Sequence, residues 1–261
     1  SGRAWAEGDL EAALAALGDD AQGPLAVRRV ALLVDVGRWA EAEDALRVLV
    51  GSPDDATTTE LSQLLRMRGG TIGPLLEGLV GPVYPAWFER AWSGAVYAHR
   101  SDPEVRQALT SQLGGLEVQV RRGEGSLMDR VRGAVLLMAR GRSWLDLGET
   151  STGRRELRTA LDAVYGMLGE LDPELSNDVR SRVLQVHQDL AAAELRAGQP
   201  DAAWRQLDAL LQVAPEAEIA FDNLVVDDDL APLRDDPAWA SLRARAAALV
   251  RQTASAPTRA D

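Results

Sequence analysis

One short pattern recurs along this chain and restricts its folding more than any other feature: a glycine, then alanine five places on and leucine nine places on. It stands at Gly8-Ala13-Leu17, Gly37-Ala42-Leu46 and Gly198-Ala203-Leu207, with a bulky or ring residue (Leu10, Trp39, Pro200) two places after each glycine. In the second and third copies a further leucine follows, Leu49 or Leu210, and Pro53 or Pro215 ends the run. This spacing suits a helix hairpin. Glycine closes the first helix at positive φ, alanine lets the second helix approach closely, the leucines share a face, and proline stops it. Units that repeat in this way bury their apolar faces by stacking on one another.

A fourth copy is partly degenerate but longer, running through Gly141, Trp144, Gly148, Gly153, Leu157, Ala160 and Leu161. A weaker fifth passes through Gly94 and Tyr97, where Ser101-Asp102-Pro103 supplies a turn and Ser101 or Asp102 an N-cap. Ala, Leu, Arg and Glu dominate while β-branched and aromatic residues are sparse, so local propensity favours helix throughout. The periodicity predicts, among others, helices at 24–35, 39–50, 55–67, 71–80, 84–99, 103–122, 126–147, 151–169, 174–197, 200–213 and 237–251.

On these glycine, alanine, leucine and aromatic positions the chain resembles the tetratricopeptide repeat family over roughly half its length. The resemblance implies an all-α fold, a right-handed α-solenoid of stacked antiparallel helix hairpins with a concave groove that holds a partner. The turn glycines at 8, 37, 148 and 198 depart from the family's regular period of about 34 residues, so some repeats are irregular. The stretch Asp227-Asp228-Asp229-Leu230-Ala231-Pro232-Leu233-Arg234-Asp235-Asp236-Pro237-Ala238-Trp239 is similar to one that closes bacterial arrays of this kind. One repeat domain is therefore expected over 1–252, followed by a disordered tail at 253–261.

Charge and composition narrow the function. All 28 basic residues are Arg, and the net charge of −12 argues against a general affinity for nucleic acid. Without cysteine there is no disulfide, thiol nucleophile or thiolate metal site, and two histidines, His99 and His187, do not by themselves build a zinc centre. No apolar run reaches the roughly 20 residues needed to span a bilayer. The opening residues read as the middle of a helical repeat, which predicts that an upstream segment, a signal peptide or another helix, was removed and that Ser1-Gly2 is a scar. The expected compartment is the cytoplasm, or the periplasm if a signal peptide preceded the chain.

Candidate binding residues come from two clusters. Tyr84, Trp87, Phe88, Trp92 and Tyr97 concentrate the scarce aromatics; core packing is the first reading, and a peptide-binding hot spot at Trp87 or Trp92 the second. Arg121, Arg122, Arg130, Arg132, Arg140 and Arg142 form the most basic stretch, read first as a solvated face. The sharper reading has Arg132 and Arg140, eight residues apart, meeting an acidic or phosphorylated segment. The carboxylate clamp of Lys, Asn and Arg found in peptide-binding family members is not carried over, because Lys is absent and Asn177 and Asn223 stand at other places. Asp227, Asp228 and Asp229 lack the alternating ligands and glycine of a calcium loop and read as helix-capping acids.

No phosphate-cradling loop, nucleophile elbow or H-E-x-x-H occurs, so the expectation is a non-catalytic scaffold that binds a protein or peptide, without cofactor or metal. The alternatives are a structural or self-associating component, with a homo-oligomer possible, and an enzyme on an unrecognised helical scaffold. Trp39 is expected to pack between helices, where Trp39→Ala would cost about 3 kcal/mol.

Overall fold

Acidic N-caps, prolines at first turns and left-handed glycines at helix ends divide the chain into short helices. The computed structural model describes residues 9–51, 54–80, 86–214 and 217–255, and among these it is helical throughout with no strand. The helices are α1 (Leu10–Leu17), α2 (Gly23–Asp35), α3 (Trp39–Gly51), α4 (Asp55–Val80), α5 (Ala86–Ala98), α6 (Pro103–Ser111), α7 (Leu116–Arg122), α8 (Leu127–Asp146), α9 (Thr150–Met167), α10 (Pro173–Arg196), α11 (Pro200–Val213), α12 (Ala217–Val225) and α13 (Pro237–Ser255). A 3-10 segment, Asp228–Leu233, precedes the last of them. Asp9, Asp102 and Asp172 cap α1, α6 and α10, each accepting from a backbone N–H three residues on at 3.0, 3.2 and 2.9 Å. These bonds satisfy donors that a helix start leaves without partners.

The repeated glycines make the same turn three times. Gly37, Gly148 and Gly198 have φ of 77°, 85° and 71°, a region open to glycine at no steric cost. At each, the glycine N–H donates to the carbonyl three residues back (Val34, Leu145, Leu195) and the next N–H to the carbonyl five back (Leu33, Trp144, Glu194), at 2.8–3.1 Å. This bonding closes α2, α8 and α10 and starts α3, α9 and α11 after one or two further residues. Five, nine and twelve places on, Ala42, Leu46 and Leu49, then Gly153, Leu157 and Ala160, then Ala203, Leu207 and Leu210 are all buried. Gly8 of the first copy, with Pro53, Tyr84 and Pro215, lies outside the described residues.

Where the fourth copy replaces alanine by glycine, the backbones meet. A methyl on Gly153 would stand 2.7 Å from the Gly141 carbonyl oxygen and 2.7 Å from Leu145 Cδ2, so α9 crosses α8 at a point that admits only hydrogen.

The chain divides into two compact units, Ser1–Ala139 and Arg140–Asp261, with the division inside α8. In the first, α2 packs on α3 and α4, and α4 on α5 and α6. Its core holds Val30, Leu33, Leu46, Leu61, Leu65, Phe88, Trp92 and Leu109, each no more than 1% exposed. In the second, α10 packs on α9 and α11, and α12 on α13. Trp239 of α13 lies 5.3 Å from Phe221 and 6.1 Å from Trp204 and joins the core formed by Ala203, Leu207 and Leu211.

Several elements differ from the sequence expectation. α4 comprises the two helices expected at 55–67 and 71–80, which meet at a kink at Arg68, whose φ of −131° leaves the helical range. The single helix expected at 103–122 is broken between α6 and α7, where Leu113 takes a positive φ of 62°. The cost of that conformation for a branched residue is met by burial, because Leu113 is fully enclosed. Trp39 is 44% exposed instead of packed between helices. It is the first residue of α3, level with a turn at which α2 has already ended. α13 extends through 253–255 of the expected tail, and 256–261 lie outside the described residues.

Two substitution pairs test this packing by urea denaturation. Gly153→Ala is expected to cost roughly 1–3 kcal/mol through overpacking. Gly166→Ala on the same helix meets nothing within 4 Å, and is expected to be neutral or to stabilise by up to about 1 kcal/mol. Equal stability of the two variants would contradict the close approach. Leu46→Ala is expected to cost about 2–5 kcal/mol and Trp39→Ala under about 1 kcal/mol, in the reverse order of their size; a costlier Trp39→Ala would contradict its exposed placement.

Candidate interaction cleft

Two successive first helices of the glycine-turn units, the end of α8 and the second half of α10, together with the segment before α13, enclose a polar cleft of about 80 Å³ in the second unit. Arg142, Leu145 and Asp146 reach it from α8 at i, i+3 and i+4 spacing, and Gln188, Asp189, Ala192 and Arg196 from α10. Asp227 and Asp229 close one end.

Asp189 is the centre of its electrostatics. Arg142 Nε lies 2.5 Å from one carboxylate oxygen, and Gln185 Nε2 donates to the other at 3.1 Å. Even so, burial pushes the Asp189 carboxyl up to about 6; Arg142 and Gln185 oppose the rise, and the carboxylates of Asp146 and Asp227 add to it. Desolvation outweighs the ion pair because Arg142 is half exposed and spreads its charge into solvent, while Asp189 is mostly enclosed. Asp227 is fixed from three sides. Gln188 donates to its carboxylate, Arg234 donates to its carbonyl, and its other carboxylate oxygen accepts from Asp229 N–H at 2.9 Å, capping the 3-10 segment. The lining carries four carboxylates, Asp146, Asp189, Asp227 and Asp229, and two guanidiniums, Arg142 and Arg196, an acidic balance in a partly desolvated recess. Its chemistry suits a guanidinium or ammonium group.

Beside the cleft, a polar chain crosses three helices. Tyr165 of α9 lies with its hydroxyl 2.5 Å from His187 Nε2, and His187 Nδ1 lies 2.8 Å from Gln206 Oε1 of α11. The amide oxygen can only accept, so Nδ1 carries the proton and Nε2 accepts from the tyrosine. Burial holds His187 below its usual range, against the hydrogen bond it donates to Gln206, and burial raises Tyr165. The three groups satisfy one another in their neutral forms.

The residues singled out from sequence lie elsewhere. Trp92 is fully buried and its Nε1–H donates to the Leu109 carbonyl at 3.2 Å, tying α5 to α6. Trp87 is 7% exposed and meets Phe88 edge-on at 5.8 Å. Of that cluster's described members, Tyr97 is the exposed one, with the Arg100 guanidinium 4.4 Å from its ring centre. Arg132 is half-buried, 3.5 Å from Asp129 on its own helix. Arg140 is 4% exposed and forms a two-pronged pair with Glu156 of α9 at 2.9 and 2.7 Å. The structure thus brings Trp87 and Trp92 into the core and turns Arg140 inward, while Arg142, from the same basic stretch, reaches the cleft. Among the described residues no group of three or more His, Asp or Glu is placed to hold a metal ion, and no helix is long and apolar enough to cross a membrane.

Asp189, Glu156 and Glu194 carry the electrostatics of this unit and were not read from sequence. Glu194 left a signal. It occupies the position four before the turn glycine where the other copies carry Leu33 and Trp144, and a carboxylate in an apolar slot implies a buried partner. That partner is double: Arg154 Nε at 3.0 Å and Arg158, both from α9.

The raised Asp189 pKa fixes a sign. The folded chain holds this proton more tightly than the unfolded one, so the associated stabilisation is complete below about pH 4 and is lost as pH rises through about 6. The stability of the wild type minus that of Asp189→Asn is expected to fall by on the order of 2 kcal/mol between pH 4 and pH 7.5, measured by urea denaturation at each pH. A difference independent of pH would contradict the buried placement of this carboxyl.

No protein-family model matches the chain, and no curated protein sequence matches it.

Proposed function

We propose that this chain is a non-catalytic protein-interaction module of the tetratricopeptide-repeat kind, a right-handed α-solenoid of stacked antiparallel hairpins whose first helices offer a groove to a partner segment. The observation that carries the proposal is the threefold recurrence of one turn, with matching hydrogen bonds at Gly37, Gly148 and Gly198 and buried small and leucine side chains at matching offsets. Stacked hairpins of this design hold their first helices side by side, and a partner reads the row of side chains between them.

In the second unit that row is Arg142 and Asp146 on α8 with Gln188, Asp189 and Arg196 on α10. The excess of carboxylates, on a chain with a net charge of −12, selects a basic or polar partner segment over the acidic or phosphorylated one suggested by the arginine-rich stretch. Arg140 takes no part in that choice, since Glu156 occupies its donor edge.

Fluorescence polarisation with matched Arg-rich and Glu-rich peptides tests the reading. The basic peptide is expected to bind, to weaken as salt is raised, and to lose at least about tenfold in affinity with Asp146→Arg plus Asp229→Arg, two exposed positions, at unchanged helicity. Equal binding of both peptides, or a double variant that binds the basic peptide as well as wild type, would remove the cleft from the proposal.

A further inference from the structure

A second recess lies in the first unit, between the start of α2, the second half of α3 and the start of α4. It encloses about 350 Å³, within the roughly 300–1,000 Å³ typical of small-molecule sites. Its lining combines the aliphatic side chains of Ala26, Ala45, Val48 and Leu49 with the charged ones of Arg29, Asp19 and Asp54.

Arg29 is the unusual member. Its side chain is 13% exposed, and its Nη2 meets Oδ1 of Asp19 at 2.5 Å, yet its buried Nε–H has no acceptor among the described residues. Nε and Nη2 form the edge with which a guanidinium takes a carboxylate two-pronged. Two other arginines of this chain fill that edge in full. Arg140 holds both oxygens of Glu156 through Nε and Nη2, and Arg38 holds both oxygens of Glu41 in the same way. On Arg29 only half of the edge is used, by a carboxylate that is 97% exposed and free to swing into solvent. A buried donor without an acceptor destabilises the fold, a cost that an incoming carboxylate would recover.

The surroundings favour an anion at this point. Gln22 gives α2 no side-chain cap, so the first-turn N–H groups of Leu25 and Ala26 add to the positive end of that helix next to the recess. Asp54, the other acid in the wall, spends its carboxylate on the Thr57 N–H at 2.7 Å, at the start of α4. We infer that this recess binds a small organic carboxylate with a short aliphatic body, its carboxylate displacing Asp19 and completing the Nε–Nη2 edge of Arg29, its chain lying on Ala26, Ala45, Val48 and Leu49. Asp19 then acts as a built-in competitor, holding the arginine in place until the ligand arrives.

Isothermal titration of the full chain at low salt with 4-methylpentanoate, and with 4-methylpentanamide as its uncharged counterpart, tests the inference. The carboxylate is expected to bind saturably and the amide at least tenfold more weakly. Asp19→Asn is expected to tighten the carboxylate severalfold by removing the competitor, and Arg29→Met, with helicity checked by circular dichroism, to abolish binding. If Arg29→Met fails to fold, the two ligands and Asp19→Asn decide the matter. Absence of saturable binding by the carboxylate, equal binding of the amide, or weaker binding by Asp19→Asn would each overturn the assignment.

Discussion

Left-handed glycines at Gly37, Gly148 and Gly198 govern the described structure, because each lets one helix end and the next begin within a few residues while the last carbonyls of the first stay hydrogen-bonded. A side chain at these positions would strain the backbone and lengthen the turn. Everything after the turn follows from its brevity. The second helix starts close to the first, so the position five residues on must be small, and Ala42, Gly153 and Ala203 are. Leucines one and two turns later then fall against the partner helix. At Gly141 and Gly153 the approach leaves no space even for a methyl group on either helix of the crossing.

Charge is buried where the pattern would place carbon. Glu194 is fully enclosed and takes two arginines from the preceding helix, and Arg140 and Glu156 pair inside the α8–α9 contact. Such pairs return little net stability over apolar packing, but removing one partner strands the other and costs about 3–5 kcal/mol. They bring directionality that leucine does not, since an Arg–Glu edge is satisfied in one register only. The polar chain from Tyr165 through His187 to Gln206 adds the same kind of constraint across α9, α10 and α11.

The turns, the helix starts at Pro103, Pro173 and Pro200 and the buried leucines were legible because each depends on local chemistry: a missing Cβ, a missing N–H, a side chain every third or fourth place. What sequence misread depended on contacts between distant residues. Arg140 reads as a surface cation until Glu156, sixteen places on, is found facing it. Trp39 fits the apolar stripe of α3 but, as the first residue of that helix, is 44% exposed. The break between α6 and α7 had a signal in Gly114-Gly115, yet the left-handed residue is Leu113, chosen by burial and not by propensity. The Asp189 cleft had none, since its walls come from three segments far apart in the chain.

The groove proposed for a basic segment and the recess proposed for a small carboxylate both depend on helix ends and paired side chains arranged by short turns. The recurrence of the turn is the claim on which this account rests, and amide hydrogen exchange read by NMR tests it most directly. The N–H groups of Gly37, Arg38, Gly148, Glu149, Gly198 and Gln199 all donate to carbonyls of the helix just ended, and they are expected to exchange far more slowly than loop amides, with similar protection in the three copies. Exchange at the rate of free amides in any one copy would mean that this turn is not the shared unit, and the repeat would no longer explain the fold.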